Sequence, residues 1–214
     1  MSVYNTVMMR DVIARAQIRN VTFLENLVAF VADNIGKPIS IKSISRYMKS
    51  VGVQVSEPLI TSYLEHLCSA LIMSPMRRYS LHGKGLLDPN GTYYFADHGL
   101  RNLLTGFNLQ QSIEKNMENV VRTHMLAQGF TLDIGLLRRG EIDFVATKSD
   151  NRIYLQVTYL LDSESTIARE FGNLFSIPDN FPKYVVSMDP LGGTPAQYPG
   201  IIPIHLRDFL KTDF

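Results

Sequence analysis

Asp143 is the residue in this chain that most invites a chemical reading. It stands in Gly140-Glu141-Ile142-Asp143-Phe144-Val145-Ala146, a segment with the look of a strand, and Ile153-Tyr154-Leu155-Gln156-Val157-Thr158 forms a second such segment soon after. Side chains on a strand alternate between its two faces, so Gln156 and Thr158 share a face and a neighbouring strand can bring Asp143 beside them. Glu118 lies upstream, on the helical run Ile113-Glu114-Lys115-Asn116-Met117-Glu118-Asn119-Val120-Val121. Two carboxylates, Asp143 and Glu118, are the kind of hard oxygen ligands that Mg²⁺ prefers. Acids on exposed strands are also commonly structural.

Most other chemistries are absent from the sequence. No Gly-x-x-x-x-Gly-Lys-Ser/Thr occurs, and Gly83-Lys84-Gly85 is too short for one and reads as a turn. The five histidines, His66, His82, His98, His124 and His205, have no metal-ligand spacing. The one cysteine, Cys68, falls at helical spacing from Leu64 and Leu67 and reads as a small core residue. A single cysteine allows no internal disulfide, which fits a reducing compartment. The N-terminus lacks the apolar run of a signal peptide, and no stretch approaches the length of a membrane span. A soluble, cytoplasmic protein without a membrane partner is expected.

These candidate residues need elements to position them. The chain has 214 residues, 45% hydrophobic and 19% charged, enough for one or two domains with ordinary cores. Apolar residues recur at helical spacing from Phe23 to Val31, with Thr22 as a cap and Glu25 completing a capping box. Ser40 caps a second helix, which Gly52 ends, and Ser56 caps a third with Pro58 in its first turn. Strands over 72–81 and 92–95 follow, joined by a Gly/Pro-rich loop. Three helices and a two-stranded ribbon are the winged-helix pattern.

The pattern changes from about residue 108. A helix over 113–128 precedes three strands, 131–137, 141–148 and 152–159. A helix over 164–175, strands over 184–188 and 201–205 and a last helical turn over 206–210 complete the chain. This order predicts an α/β/α sandwich around a mixed sheet. The expected division is a lead-in over 1–20, with a helix over 7–15, a winged-helix domain over 21–105 and an α/β domain over 106–214.

Charge divides along the same line. Residues 1–105 carry eleven Lys/Arg against seven Asp/Glu, and residues 106–214 carry ten against thirteen, for a net charge of +1. The helix beginning at Glu57, candidate for recognition, carries Glu57 and Glu65 and no Lys or Arg, a poor surface for phosphate. Lys42, Arg46 and Lys49 on the second helix, and Arg77, Arg78, His82 and Lys84 in the ribbon, are better DNA-binding candidates. Weak, non-specific DNA binding is expected, with a role in protein interaction or self-assembly as the alternative.

Two resemblances extend this picture. The segment around Asp143 and Gln156 resembles the site of restriction-endonuclease-like, PD-(D/E)xK-type nucleases. There a strand Asp and a Glu-x-Lys on the next strand hold Mg²⁺ and position the attacking water, often helped by a helix Glu. On that pattern Asp143 and Glu118 match the Asp and the helix Glu. Gln156 replaces the Glu, and Thr158 replaces the Lys, so the motif reads as degenerate. More widely, Tyr93-Tyr94-Phe95-Ala96-Asp97-His98-Gly99-Leu100-Arg101-Asn102 resembles a signature of a prokaryotic AAA-type ATPase family with an N-terminal AAA module and a C-terminal domain of unknown function. Leu155-Gln156-Val157, Arg169-Glu170-Phe171, Phe181-Pro182-Lys183-Tyr184, Gly200-Ile201 and Leu206-Arg207-Asp208-Phe209-Leu210 are similar to its C-terminal blocks, and Tyr4-Asn5-Thr6-Val7 to the stretch after its ATPase module.

The resemblance implies a non-catalytic C-terminal half of such an ATPase, binding DNA or a protein partner and regulating the motor. ATP would bind only through a module upstream, and Mg²⁺ only if the nuclease-like site were active. The alternatives are a Mg²⁺-dependent nuclease using Asp143 and Glu118 with a displaced third ligand, and an assembly module without nucleic acid.

Overall fold

The computed structural model describes residues 12–13, 20–81, 91–105, 109–190 and 193–214. The expected helix over 7–15, apart from Val12 and Ile13, and the ribbon loop with His82 and Lys84 lie outside them. The chain divides into two compact units. The first holds Met1–Pro75 and Pro89–Asn108, the second Met76–Asp88 and Leu109–Phe214.

The first unit is built on α1 (Val21–Asp33), α2 (Ile41–Ser50) and α3 (Glu57–Ser69). Asn20, not Thr22, caps α1: its side-chain oxygen accepts the Phe23 N–H at 2.9 Å, and Thr22 already lies in the first turn. Ser40 caps α2 as expected, in a reciprocal box with Ser43. Ser56 stands at the N-cap of α3 but its side chain makes no capping bond there. The buried faces of the helices meet through rings, Phe23 against Tyr63 and Phe30 against Tyr47, each pair with centroids 4.8 Å apart. Leu27, Val31, Ile44, Met48, Ile60 and Leu67 complete this core at no measurable exposure.

Strand β2 (Thr92–Phe95) and helix α4 (His98–Thr105) follow in the same unit. The sequence reading contains no α4. Its start is set by Asp97, whose carboxylate accepts the Leu100 N–H at 3.0 Å. Its anchor is Arg101, 2% exposed, which donates from Nε to the Ala32 carbonyl in the last turn of α1 at 3.1 Å. A cation at a helix C-terminus meets the negative end of the dipole and an otherwise unsatisfied carbonyl.

The strands hydrogen-bond in the order β2-β1-β3-β4-β5-β6-β7, a mixed seven-stranded sheet. Strand β1 (Met73–Ser80) is not confined to a ribbon. Its second half belongs to the second unit and runs parallel to β3 (Thr131–Leu136), from Arg77 opposite Asp133 to Ser80 opposite Leu136. Strands β3, β4 (Glu141–Lys148) and β5 (Asn151–Val157) form the expected antiparallel meander. Strands β5, β6 (Lys183–Ser187) and β7 (Ile201–His205) are parallel.

Helices α5 (Leu109–Ala127) and α6 (Glu164–Phe175) pack on this sheet. Phe171 and Leu174 of α6 bury against Ile142, Val145, Tyr154, Val185 and Ile201. Phe144 and Leu155 alternate to the opposite face and are also fully buried. Helix α5, which contacts β3, β4 and β5, supplies buried Met117, Val121 and Met125. The C-terminal turn α7 (Leu206–Phe209) is held at the end of α5, where Gln128 donates to the Thr212 carbonyl and accepts the Phe214 N–H. The chain is therefore a mixed α/β protein.

Candidate functional site

Gly140 turns the chain into β4 with a φ of 91°, and an added Cβ would meet Asn173 Oδ1 at 3.0 Å. Asn173 in turn donates from Nδ2 to the Glu141 carbonyl, tying α6 to the start of the strand. The regular pairing of β4 with β5 runs from Lys148 opposite Asn151 to Phe144 opposite Leu155. Beyond it, side chains take over from the backbone. The Asp143 N–H donates to Gln156 Oε1 at 2.8 Å, and the Val157 N–H donates to Asp143 Oδ2 at 2.7 Å. Each residue thus supplies a side-chain acceptor to a backbone donor of the other strand.

The other end of the Gln156 amide leads to a residue that the motif did not single out. Gln156, 4% exposed, donates from Nε2 to Glu170 Oε2 at 2.6 Å. Glu170, 3% exposed on α6, receives Arg169 on its second oxygen, from Nη2 at 2.6 Å and Nε at 2.7 Å. Both oxygens of Glu170 therefore have partners. Arg169 is largely exposed and brings a cation to the edge of this network.

Three carboxylates act on one another here. The Asp143 carboxyl is pushed well above the usual carboxylate range, first by burial and then by the negative charges of Glu118 and Glu170; the Val157 N–H acts in the opposite direction, and Glu141 adds a smaller push. Glu118 faces this region from α5, and one turn earlier Glu114 accepts the Tyr159 N–H at 3.5 Å. Glu141 is bridged by Arg78 at 2.7 Å. Thr158 is 1% exposed; its N–H donates to the Val186 carbonyl, and its hydroxyl has no hydrogen-bond partner among the described residues.

The candidate residues thus come together: Asp143, Gln156 and Glu170 are in one hydrogen-bonded network, with Glu118 close enough to act on Asp143. No three His, Cys, Asp or Glu side chains among the described residues form a group that could hold a metal ion. Gln156 faces Glu170 through its amide nitrogen, which is no metal ligand, and Thr158 brings no charge.

The DNA-binding candidates separate into two sets. Arg77 holds Asp133 through paired contacts of 2.9 and 3.1 Å, and Arg78 lies under Glu141 with a side chain 9% exposed. The β1–β3 register that sets Arg77 opposite Asp133 draws both arginines into the second unit's own ion pairs. Lys42, Arg46 and Lys49 are all exposed on α2, while Ile44 and Met48 fill the buried side of the helix.

Glu170 was hidden in the sequence because an acid inside an amphipathic helix reads as a solvated one. The signal that could have found it is its place next to Phe171, on the buried side of α6.

No helix of the described residues is long and apolar enough to cross a membrane. Among known proteins, an uncharacterized protein of Haemophilus influenzae (strain ATCC 51907 / DSM 11121 / KW20 / Rd) is 30% identical over 185 residues, which cover 86% of this chain. The match spans 45% of that relative's length. The crystal structure of protein VC1899 from Vibrio cholerae aligns with 91% of this chain and 55% of its own at 13% identity and a TM-score of 0.32, too low for the two folds to be equated. Residues 1–111 match the model of a domain of unknown function, DUF8612, and the chain belongs to that family.

Proposed function

We propose that this chain is a non-catalytic, partner-binding region of a cytoplasmic AAA-type ATPase: a winged-helix unit followed by a restriction-endonuclease-like unit whose catalytic motif has lapsed. The observation that carries the proposal is the Gln156 amide. Its oxygen receives the Asp143 N–H and its nitrogen binds Glu170, so a neutral group engaged at both ends stands where a metal-binding carboxylate would be needed. The three-helix run of the first unit, followed along the chain by β1 and β2, supports the winged helix, and a mixed sheet contacted by α5 and α6 supports the nuclease-like architecture. ATP would enter only through a separate module, and regulation of that module is the proposed task. Incubation of the chain with plasmid and branched DNA in Mg²⁺ and in Mn²⁺ is expected to give no cleavage.

The alternative is a Mg²⁺-dependent nuclease with a displaced third ligand. Glu170 is the specific observation in its favour, since a third carboxylate, itself buried, is hydrogen-bonded to Gln156. Cleavage that disappears in Asp143→Ala and in Glu170→Gln would establish it.

A further inference from the structure

We infer that the exposed face of α2 binds the phosphate backbone of duplex nucleic acid, without reading its sequence. The inference rests on the partner-binding part of the function proposed above and names the partner. Lys42, Arg46 and Lys49 follow one another at steps of four and three residues, the spacing that keeps side chains on one side of a helix. All three are exposed, and α2 contains no acidic residue. At a rise of about 1.5 Å per residue they span about 10 Å, or roughly three phosphates of one strand at 3.4 Å of duplex axis each. The buried side of α2 is fixed by Ile44 and Met48, and its start by the Ser40–Ser43 box, so the row is presented on a held helix.

Two further observations select the partner and the mode. Helix α3 exposes Glu57 and Glu65, whose negative charges repel a groove edge lined by phosphates. Base reading from α3 is therefore disfavoured, and contact falls to the cations of α2 alone. Single-stranded nucleic acid is held by stacking its bases on exposed aromatic rings. The one aromatic of α2, Tyr47, is instead packed against Phe30. A continuous duplex backbone fits a row of cations without such a platform.

The test is fluorescence anisotropy of the full chain with a short labelled duplex of arbitrary sequence, repeated over a series of KCl concentrations. Each lost phosphate contact lowers the slope of log K against log salt by about 0.9. The expected wild-type slope is at least about 2.7 in magnitude. The combined variant Lys42→Ala, Arg46→Ala, Lys49→Ala should lose at least about tenfold in affinity at low salt and most of that slope. Lys42→Arg with Lys49→Arg should keep both. Arg77→Ala, whose guanidinium is engaged by Asp133, should bind as wild type. Absence of wild-type binding at low salt, a slope well below about 2.7, an unchanged slope in the triple variant, or tighter binding of a single strand of the same length would each overturn the inference. DNA cleavage, by contrast, would remove the non-catalytic proposal and leave the question of α2 to the salt series.

Discussion

Asp143 and Gln156 each accept the hydrogen bond that the other's strand has no backbone partner for. Gln156 Oε1 takes the Asp143 N–H, and Asp143 Oδ2 takes the Val157 N–H one residue beyond Gln156. The two strands are thereby held at the point where their ladder ends, and the residues that a catalytic site would need to keep free are in structural use. This relationship gives Gln156 a structural task in the fold, whatever the site binds.

Gln156→Ala is expected to destabilise the chain by about 2–4 kcal/mol. It removes an acceptor from a buried N–H and a donor from a buried carboxylate, and each unmet buried group costs about 1–3 kcal/mol. Urea unfolding of variant and wild type measures the loss. A change below about 1 kcal/mol would mean that water replaces the amide.

Folding disfavours the charged form of Asp143. Because its carboxyl is raised above the usual range, it favours the protonated form when folded. Its contribution is fully favourable below the unfolded pKa and is lost as pH rises through the folded one. Asp143→Asn keeps an acceptor for the Val157 N–H and removes the charge facing Glu118 and Glu170. The variant should be more stable than wild type at neutral pH. The gain should shrink as pH falls toward the unfolded carboxylate range. Denaturant titrations across pH check the sign; a loss of stability at neutral pH would contradict it.

Asn119 is fully buried on α5, and neither atom of its amide has a hydrogen-bond partner among the described residues. Asn119→Leu exchanges an unmet polar group for an apolar one of similar size. Thermal unfolding should report a gain of about 1–2 kcal/mol. A loss would show that the amide binds an internal water.

Arg101→Ala should cost the first unit about 2–4 kcal/mol, through the missing bond to the Ala32 carbonyl and the packing of its stem. Arg101→Lys should recover only part of this, because an ammonium does not reproduce the guanidinium fork. Full recovery by Lys would reduce the site to a simple charge at a helix end.

The helices and strands that position these residues were largely legible, because their apolar residues repeat at clear periods. Residues 21–33, 131–136, 141–148 and 164–175 carry strong local patterns. Helix α4 was not legible, since it is short and its most buried side chain is Arg101, a residue type that normally signals solvent. The parallel pairing of β1 with β3 was hidden as well. Nothing local in Met73–Ser80 distinguishes a ribbon strand from one that pairs far along the chain, and the ion pairs of Arg77 with Asp133 and of Arg78 with Glu141 could not be read from it. At the candidate site, strand alternation could bring Asp143 to Gln156, which are indeed hydrogen-bonded across β4 and β5. Glu170 could not be placed, because its meaning depends on the hydrogen bond from Gln156.

The central claim is that the second unit does not cut nucleic acid, and the most direct test is plasmid cleavage by the purified chain in Mg²⁺ and in Mn²⁺. One missing electrostatic contributor alone lowers rates by about 10²–10³. Here both the charged ligand expected at Gln156 and the cation expected at Thr158 are absent. The account predicts intact plasmid with the wild-type chain. Cleavage gained only in Gln156→Glu with Thr158→Lys would accord with a lapsed site whose frame survives. Wild-type cleavage that is abolished by Asp143→Ala would contradict it.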